Sequence, residues 1–158
     1  MRFGSYDITL SQIIYRCRQF VSVLRPQIDQ TLVDEACHHL PKQWQPSFRQ
    51  IPSSTMAHIL RLYRAIRDDA ALDESTRSEL LILALTHDIG KSITRPTLFE
   101  RVAKVLLPLP NKSHVIAGAM LMKKLGASRQ LVRRIRTHHE SVVDDRLLAL
   151  FQTYDDRL

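Results

Sequence analysis

The apolar positions of this chain recur with the three- to four-residue spacing of amphipathic helices. Residues 11–24 follow this pattern up to Pro26, and a second helix is predicted for residues 28–39, ending at Pro41. From residue 53 onward the pattern is more regular, and one stripe is formed by Met56, Ile59, Leu60, Tyr63 and Ile66. The spacing therefore predicts a succession of helices.

Between the two regular regions, residues 41–52 contain three prolines and predict a connector with about one helical turn. We therefore expect a short N-terminal helical extension in residues 1–52 and a separate domain in residues 53–158. With only four glycines in 158 residues, and with leucine, alanine and arginine abundant, the whole chain is predicted to be all-α.

Capping residues predict where the helices of the second region begin and end. Side chains that can accept a backbone N–H at a helix N-terminus precede each apolar stretch. The candidate N-caps are Ser53 or Ser54, Asp73 or Ser75, Asn111 or Ser113, Ser128, and Asp144 or Asp145. A short helix is also predicted for residues 97–107, and Gly126 is predicted to follow the end of the helix that begins near residue 113.

The composition narrows the class of protein. A chain of 158 residues with 44% hydrophobic and 25% charged residues is long enough for one substantial core. Since no apolar run approaches the roughly 20 residues of a membrane span and no signal-peptide pattern is present, we expect a cytoplasmic protein without membrane attachment. The two cysteines, Cys17 and Cys37, are expected to be buried reduced thiols.

The positive charge of +7 is concentrated in the second region. Residues 53–158 hold seventeen basic and twelve acidic side chains, against six and four in residues 1–52. Six bases follow one another with no acid between them: Lys123, Lys124, Arg129, Arg133, Arg134 and Arg136. Such a run is typical of a solvated helix face, of a site for a phosphorylated small molecule, or of a nucleic-acid surface.

Candidate chemistry is centred on Leu80–Ser92, where an apolar helical run ends in His87-Asp88 and is followed by a turn containing Gly90. Imidazoles and carboxylates are the usual ligands of manganese, iron, zinc or magnesium where thiolates are absent. Five of the seven histidines fall after residue 52, near predicted helix ends or edges, and two aspartates stand near the end of the sequence: His58, His87, His114, His138, His139, Asp155 and Asp156.

Helix geometry favours Asp155 over Asp156 as a ligand. Asp155 lies four residues after Phe151 and seven after Leu148, at the edge of the apolar face of the last predicted helix. Asp156 follows Gln152 on nearly the opposite side. A carboxylate at the margin of a buried face needs a partner, and a metal ion would be one.

In their order, these residues resemble the HD-domain superfamily of metal-dependent phosphohydrolases. The likeness covers about residues 53–158 and follows the order histidine, His-Asp, histidine, His-His, aspartate. It implies an all-helical bundle and a minimal metal site formed by His58, His87, Asp88 and Asp155. It also implies that Asp88 bridges two divalent ions, with further ligands from His114, His138 and His139.

The resemblance implies hydrolysis of a phosphomonoester or phosphodiester, with a nucleotide-like substrate and a metal-activated water. Asp88 and Lys91 are the candidate catalytic residues, and Lys91 and Arg134 are candidate contacts to the substrate. A cyclic-di-GMP substrate is disfavoured because no glycine-tyrosine-proline signature follows Glu140. The alternatives are a non-catalytic domain that binds a nucleotide or a partner around a structural metal site, and RNA binding by the arginine-rich helix.

Overall fold

The structure is a computed structural model that describes residues 27–94, 113–141 and 144–158. Every regular element in those residues is a helix, which confirms the all-α prediction. In chain order the helices are α1 (Gln30–His38), α2 (Gln45–Arg49), α3 (Ser53–Arg67), α4 (Glu74–Thr86), α5 (Lys91–Thr94), α6 (Ser113–Lys124), α7 (Arg129–Thr137) and α8 (Arg146–Asp155). The helices predicted for residues 11–24 and 97–107, and also Cys17, lie outside the described residues.

Side-chain caps begin several of these helices where the sequence predicted them. The carboxylate or hydroxyl of each cap accepts the backbone N–H three residues further on, as in Asp73, Ser128 and Asp145. The start of α3 differs, because its N-cap is Pro52 and no side chain closes the first turn. The proline ring fixes the φ of Pro52 at −57°, a value that helices also use. The chain enters α3 through this proline and without a serine cap.

Helix α4 is the central element, since α3, α7 and α8 all pack against it. Its inward side chains, such as Leu83, are fully buried together with Leu62 of α3, Ile135 of α7 and Phe151 of α8. Close packing of this kind fixes the relative positions of the helix ends. Among the described residues, no helix is both long and apolar enough to cross a membrane.

The predicted connector, residues 41–52, contains the single short helix α2 and takes part in the main core. Trp44, Phe48 and Ile51 are buried in the same cluster as the apolar side chains of α3, α4, α6, α7 and α8. The indole N–H of Trp44 also donates to the carbonyl of Leu125 at 3.0 Å. The division of the chain after residue 52 stays a prediction, and the packing joins the two sides through one core.

Gly126 is the residue at which the chain leaves α6, as predicted. Its φ of +79° lies in the left-handed region that favours glycine. The next N–H, that of Ala127, donates back to the carbonyl of Met122 at 2.9 Å, which is the six-residue bond of a Schellman motif. This turn joins α6 to α7, and the two helices pack against each other.

Candidate metal centre

Two groups of histidine and aspartate side chains meet where helix ends converge around α4. Within each group, one ligand atom from every member lies within 4.8 Å of the others. The first ligand group is formed by His58, His87 and Asp155. The second ligand group is formed by Asp88, His114, His138 and His139. The structure therefore places each of the seven residues that the resemblance implied as ligands in one group or the other.

The ends of the helices supply most of these side chains. His87 and His138 are the C-caps of α4 and α7, and Asp155 is the last residue of α8. His114 is the second residue of α6, whereas His58 projects from the first half of α3. Because the core fixes the helices, residues far apart in sequence arrive at one place.

In the first ligand group, Asp155 joins two histidines. Its Oδ1 lies 2.9 Å from Nε2 of His58 and 3.8 Å from Nε2 of His87. Burial would raise the pKa of Asp155, but the hydrogen bond from His58 and the charge of His87 outweigh it and lower the pKa to about 2. Asp156 is the exposed C-cap of α8 and belongs to neither group.

Asp88 lies between the two ligand groups. Its Oδ2 is 3.5 Å from Nε2 of His87, and its Oδ1 is 3.3 Å from Nε2 of His114. The ammonium of Lys91, one turn further on, contacts Oδ2. Burial would raise the pKa of Asp88, but the positive charge of Lys91, with His87 and His114, holds it below its usual range. The carboxylate is therefore ionised and has one oxygen directed to each group.

Backbone contacts orient two of the histidines for coordination. Nδ1 of His87 lies 2.9 Å from the carbonyl of Ala84, and Nδ1 of His138 lies 2.7 Å from the carbonyl of Ile135. A carbonyl can only accept, so in each ring Nδ1 carries the proton and Nε2 keeps its lone pair. This is the arrangement that outer contacts give to metal-binding histidines.

The second ligand group also contains buried acceptors that the protein does not satisfy. Oδ1 of Asp88 and Nε2 of His138 have no hydrogen-bond partner among the described residues. Each such atom costs about 1–3 kcal/mol when it is buried unpaired. The separations between neighbouring ligand atoms, such as 3.2 Å between Nε2 of His114 and Nε2 of His139, match the roughly 3.0–3.4 Å expected around an ion with bonds of about 2.1 Å. The donor set therefore fits a divalent cation.

Desolvation favours the neutral imidazole at His138 and His139. Burial lowers the pKa of His138 to about 3, and electrostatic contributions from His87 and His139 act in the same direction. Desolvation also lowers the pKa of His139, although part of this residue is exposed to solvent. A neutral imidazole is the form that coordinates metal, so these rings need not lose a proton to bind an ion near neutral pH.

The glycine of the His87–Lys91 turn is needed for a close approach of backbones. A Cβ on Gly90 would lie 1.9 Å from the carbonyl oxygen of His114 and 2.5 Å from the N of Gly118. Among the described residues only Gly126 has a positive φ, so Gly90 is not required for a left-handed turn. The contact between Gly90 and Gly118 brings α6 near enough for His114 to reach Asp88. Sequence reasoning missed Gly118, although its place in an alanine-flanked segment is a signal for close helix packing.

Gln152 is a second residue that sequence reasoning missed. From α8 its Nε2 donates to the carbonyl of His138 at 2.8 Å and to that of Glu140 at 2.7 Å. It thereby ties the segment that carries the second ligand group to the helix that carries Asp155. A polar residue on the less apolar side of a helix leaves no mark in the hydrophobic pattern.

Arg134 links three helices. Its guanidinium donates to Glu79 of α4 and to Asp145, the N-cap of α8, both at 2.8 Å. The side chain is buried, and burial alone would lower the pKa of Arg134. The two carboxylates outweigh this effect, so the pKa is raised. The contact of Arg134 with a substrate stays a prediction.

Together, the helical core and the converging imidazoles and carboxylates define an all-α protein with histidine–aspartate groups that could hold a metal ion. The family model of the HD domain matches residues 52–156, and this chain belongs to that family, whose members are in general metal-dependent phosphohydrolases. The resemblance to the HD-domain superfamily is thereby confirmed, whereas the subset defined by the order histidine, His-Asp, histidine, His-His, aspartate stays a prediction. Neither the curated proteins nor the solved structures gave a match.

Proposed function

We propose that this protein is a phosphohydrolase that cleaves a phosphomonoester or phosphodiester of a nucleotide-like substrate with a metal-activated water. The observation that carries the proposal is the position of Asp88, whose two oxygens are directed to His87 on one side and to His114 on the other. One carboxylate shared between two ligand groups is an arrangement that suits a pair of divalent ions in a two-metal hydrolytic site.

The first ligand group would hold one ion and the histidines of the second would hold another, with Asp88 common to both. Manganese, iron, magnesium and zinc all accept this set of imidazoles and carboxylates. When bound, such ions polarise a phosphate and lower the pKa of water, so that hydroxide is available near neutral pH. The chain's own residues then bind and orient the substrate.

The open side of the centre indicates where a substrate arrives. His139 is exposed, while His58, Lys91 and Asp155 are partly exposed, and the remaining ligands are buried. The ammonium of Lys91 stands at this boundary beside Asp88, where it can contact a phosphate oxygen and offset the charge that develops during transfer. We therefore assign Lys91 to phosphate contact.

Phosphate release tests the proposal. The protein is stripped of metal, reloaded with manganese, iron or cobalt, and incubated with a panel of nucleotides and simple phosphate esters. We expect release that depends on added metal and falls to background in Asp88→Asn, while Asp156→Asn, an exposed neighbour of the centre, retains it. A fully metal-loaded protein that hydrolyses nothing in a broad panel would contradict the proposal.

The contact between Lys91 and Asp88 favours a second candidate function. Because the chain supplies its own cation to this carboxylate, a second metal ion is not needed to balance its charge, and a domain with one structural ion would bind a nucleotide or a partner without hydrolysis. A single bound ion per chain, together with a nucleotide recovered intact after prolonged incubation, would support this candidate. Two bound ions and turnover would remove it.

A further inference from the structure

Away from the metal centre, a pocket of about 470 Å³ opens between the start of α2, the middle of α4 and the turn between α6 and α7. Its walls are mainly apolar and aromatic, formed by His39, Pro41, Trp44, Ile82, Ala127 and Leu131. Ser78 and Ser128 also line it. We call this the apolar pocket. Its size and chemistry are those of sites for small organic ligands.

A second pocket of about 640 Å³ lies between α7 and the start of α8. Arg129, Arg133 and Arg146 line it together with Asp144, and we call it the arginine pocket. Arg134, Glu79 and Gln130 line both pockets, so the two are neighbours across the same residues. None of the metal-ligand candidates lines either one.

In the arginine pocket, some charged side chains have an ion-pair partner and others have none among the described residues. Its lining holds four arginines and three carboxylates, and two of those carboxylates, Glu79 and Asp145, are taken up by Arg134. Among the described residues, Arg129, Arg133 and Arg146 form no ion pair. Some exposed arginines elsewhere do have carboxylate partners, as in the pairs of Arg49 with Asp34 and of Arg64 with Asp29. The pocket therefore presents guanidinium groups that are available to an anion.

We propose that the two pockets together form a nucleoside phosphate site, separate from the metal centre, with the base in the apolar pocket and the phosphate at Arg133 and Arg146. The planar guanidinium fork matches phosphate oxygens, and the serine hydroxyls at the apolar pocket can bond to the edge of a base. A purely apolar ligand would not need the arginines, and inorganic phosphate would not need the apolar walls. A nucleoside phosphate would use both pockets. This site goes beyond the proposed hydrolysis.

The only tryptophan of the chain provides the measurement. Trp44 lines the apolar pocket, so a base that enters it changes the tryptophan fluorescence directly. The titration uses metal-free protein with EDTA and the four ribonucleoside 5′-monophosphates, compared with their nucleosides and with inorganic phosphate. We expect saturable quenching by at least one nucleotide, binding at least about tenfold weaker for its nucleoside, and no quenching by phosphate.

Variants locate the bound nucleotide. Arg133→Ala and Arg146→Ala should each weaken binding at least about tenfold, the loss expected for one charge-assisted hydrogen bond. Arg64→Ala removes an exposed arginine of α3 and should leave binding unchanged. Calorimetry of the same variants measures binding independently of fluorescence, and circular dichroism verifies their folding.

Three outcomes would overturn the site. They are no saturable response to any of the four nucleotides, equal affinity for nucleotide and nucleoside, or affinity that survives both arginine variants and is lost in Lys91→Ala. The last outcome would place the nucleotide at the metal centre. Since no hydrolysis is measured and no metal is present, failure here leaves the proposed phosphohydrolase function untouched.

Discussion

In the first ligand group, His58 and Asp155 satisfy each other across 2.9 Å, whereas the second ligand group holds buried atoms that the protein leaves unsatisfied. In the first group His58 and Asp155 are partly exposed, with 25% of the His58 side chain exposed, whereas every member of the second group except His139 is buried. A group that completes its own hydrogen bonds gains less from a cation than one with unpaired buried acceptors. We therefore expect the second ligand group to bind its ion more tightly.

The largest effect is expected from Asp88→Asn, because this carboxylate serves both groups. We expect both ions to be lost and kcat/KM to fall at least about a thousandfold, since several kcal/mol of metal stabilisation disappear at about 1.4 kcal/mol per factor of ten. Metal content by mass spectrometry and phosphate release measure the result. The exposed Asp156→Asn is the control, and an Asp88→Asn protein with two ions would show that the groups do not share this residue.

Single ligands should separate the two groups. Asp155→Ala is expected to lose the ion of the first group and keep the other, while His138→Ala does the reverse. The affinity of the affected ion should fall by more than the roughly 10- to 100-fold typical of losing an outer contact. Titration with metal, monitored by calorimetry, measures the affinity for each ion. If either variant loses both ions together, the two groups behave as one site and the comparison fails.

Gly90→Ala should weaken the second ligand group selectively. The added Cβ would collide with the His114 carbonyl and with Gly118, so α6 must move and the free energy of unfolding should fall by about 1–3 kcal/mol. The ion of the second group should bind less tightly, and that of the first should be spared.

Gly126→Ala is the matched control for this variant. Its positive φ makes alanine unfavourable by about 1–2 kcal/mol, but no atom lies within 4 Å of the new Cβ. Stability should fall without any change in metal binding. Equal losses of metal affinity in the two variants would mean that Gly90 acts only through stability.

The smallest effect is expected from Gln152→Met, which keeps the size of the side chain and removes both hydrogen bonds to the His138–Glu140 segment. Affinity for the second ion should fall about tenfold, as for loss of an outer contact. Gln45→Met is the control, because Gln45 also donates two bonds of 3.0 Å to backbone carbonyls, those of Cys37 and Leu40, far from any ligand. If both variants bind metal normally, Gln152 does not position the centre.

Local rules were sufficient for much of this architecture. Asp73, Ser128 and Asp145 are N-caps because their short side chains reach the backbone three residues on, and such reach can be recognised in a sequence. The placement of Asp155 beside His58 agrees with its position at the edge of the apolar face. The N-cap of α3, Pro52, was missed because a serine cap and a proline entry compete at adjacent positions.

The remaining features depend on distances between helices, which the spacing of residues along the sequence does not give. The partition of the ligands into two groups, the contact between Gly90 and Gly118, and the bonds of Gln152 all join residues from different helices. Periodicity identifies the face on which a residue lies but not the neighbour that it meets. For the same reason the arginine-rich run of α7 gave no indication that Arg134 would be enclosed by carboxylates while Arg133 lines an open pocket.

The contact between His58 and Asp155 joins residues that are 97 positions apart, whereas His114 and His139 are separated by only 25. Closing the longer loop costs about 1 kcal/mol more chain entropy, since the cost grows with the logarithm of loop length. During folding, the hairpin of α6 and α7 can therefore assemble its histidines early, while the first group forms only when α8 docks beside α3. An ion bound by the first group would stabilise the folded state once this last contact has formed. At a free ion concentration a hundred times its Kd, it would add about 2.7 kcal/mol to the free energy of unfolding.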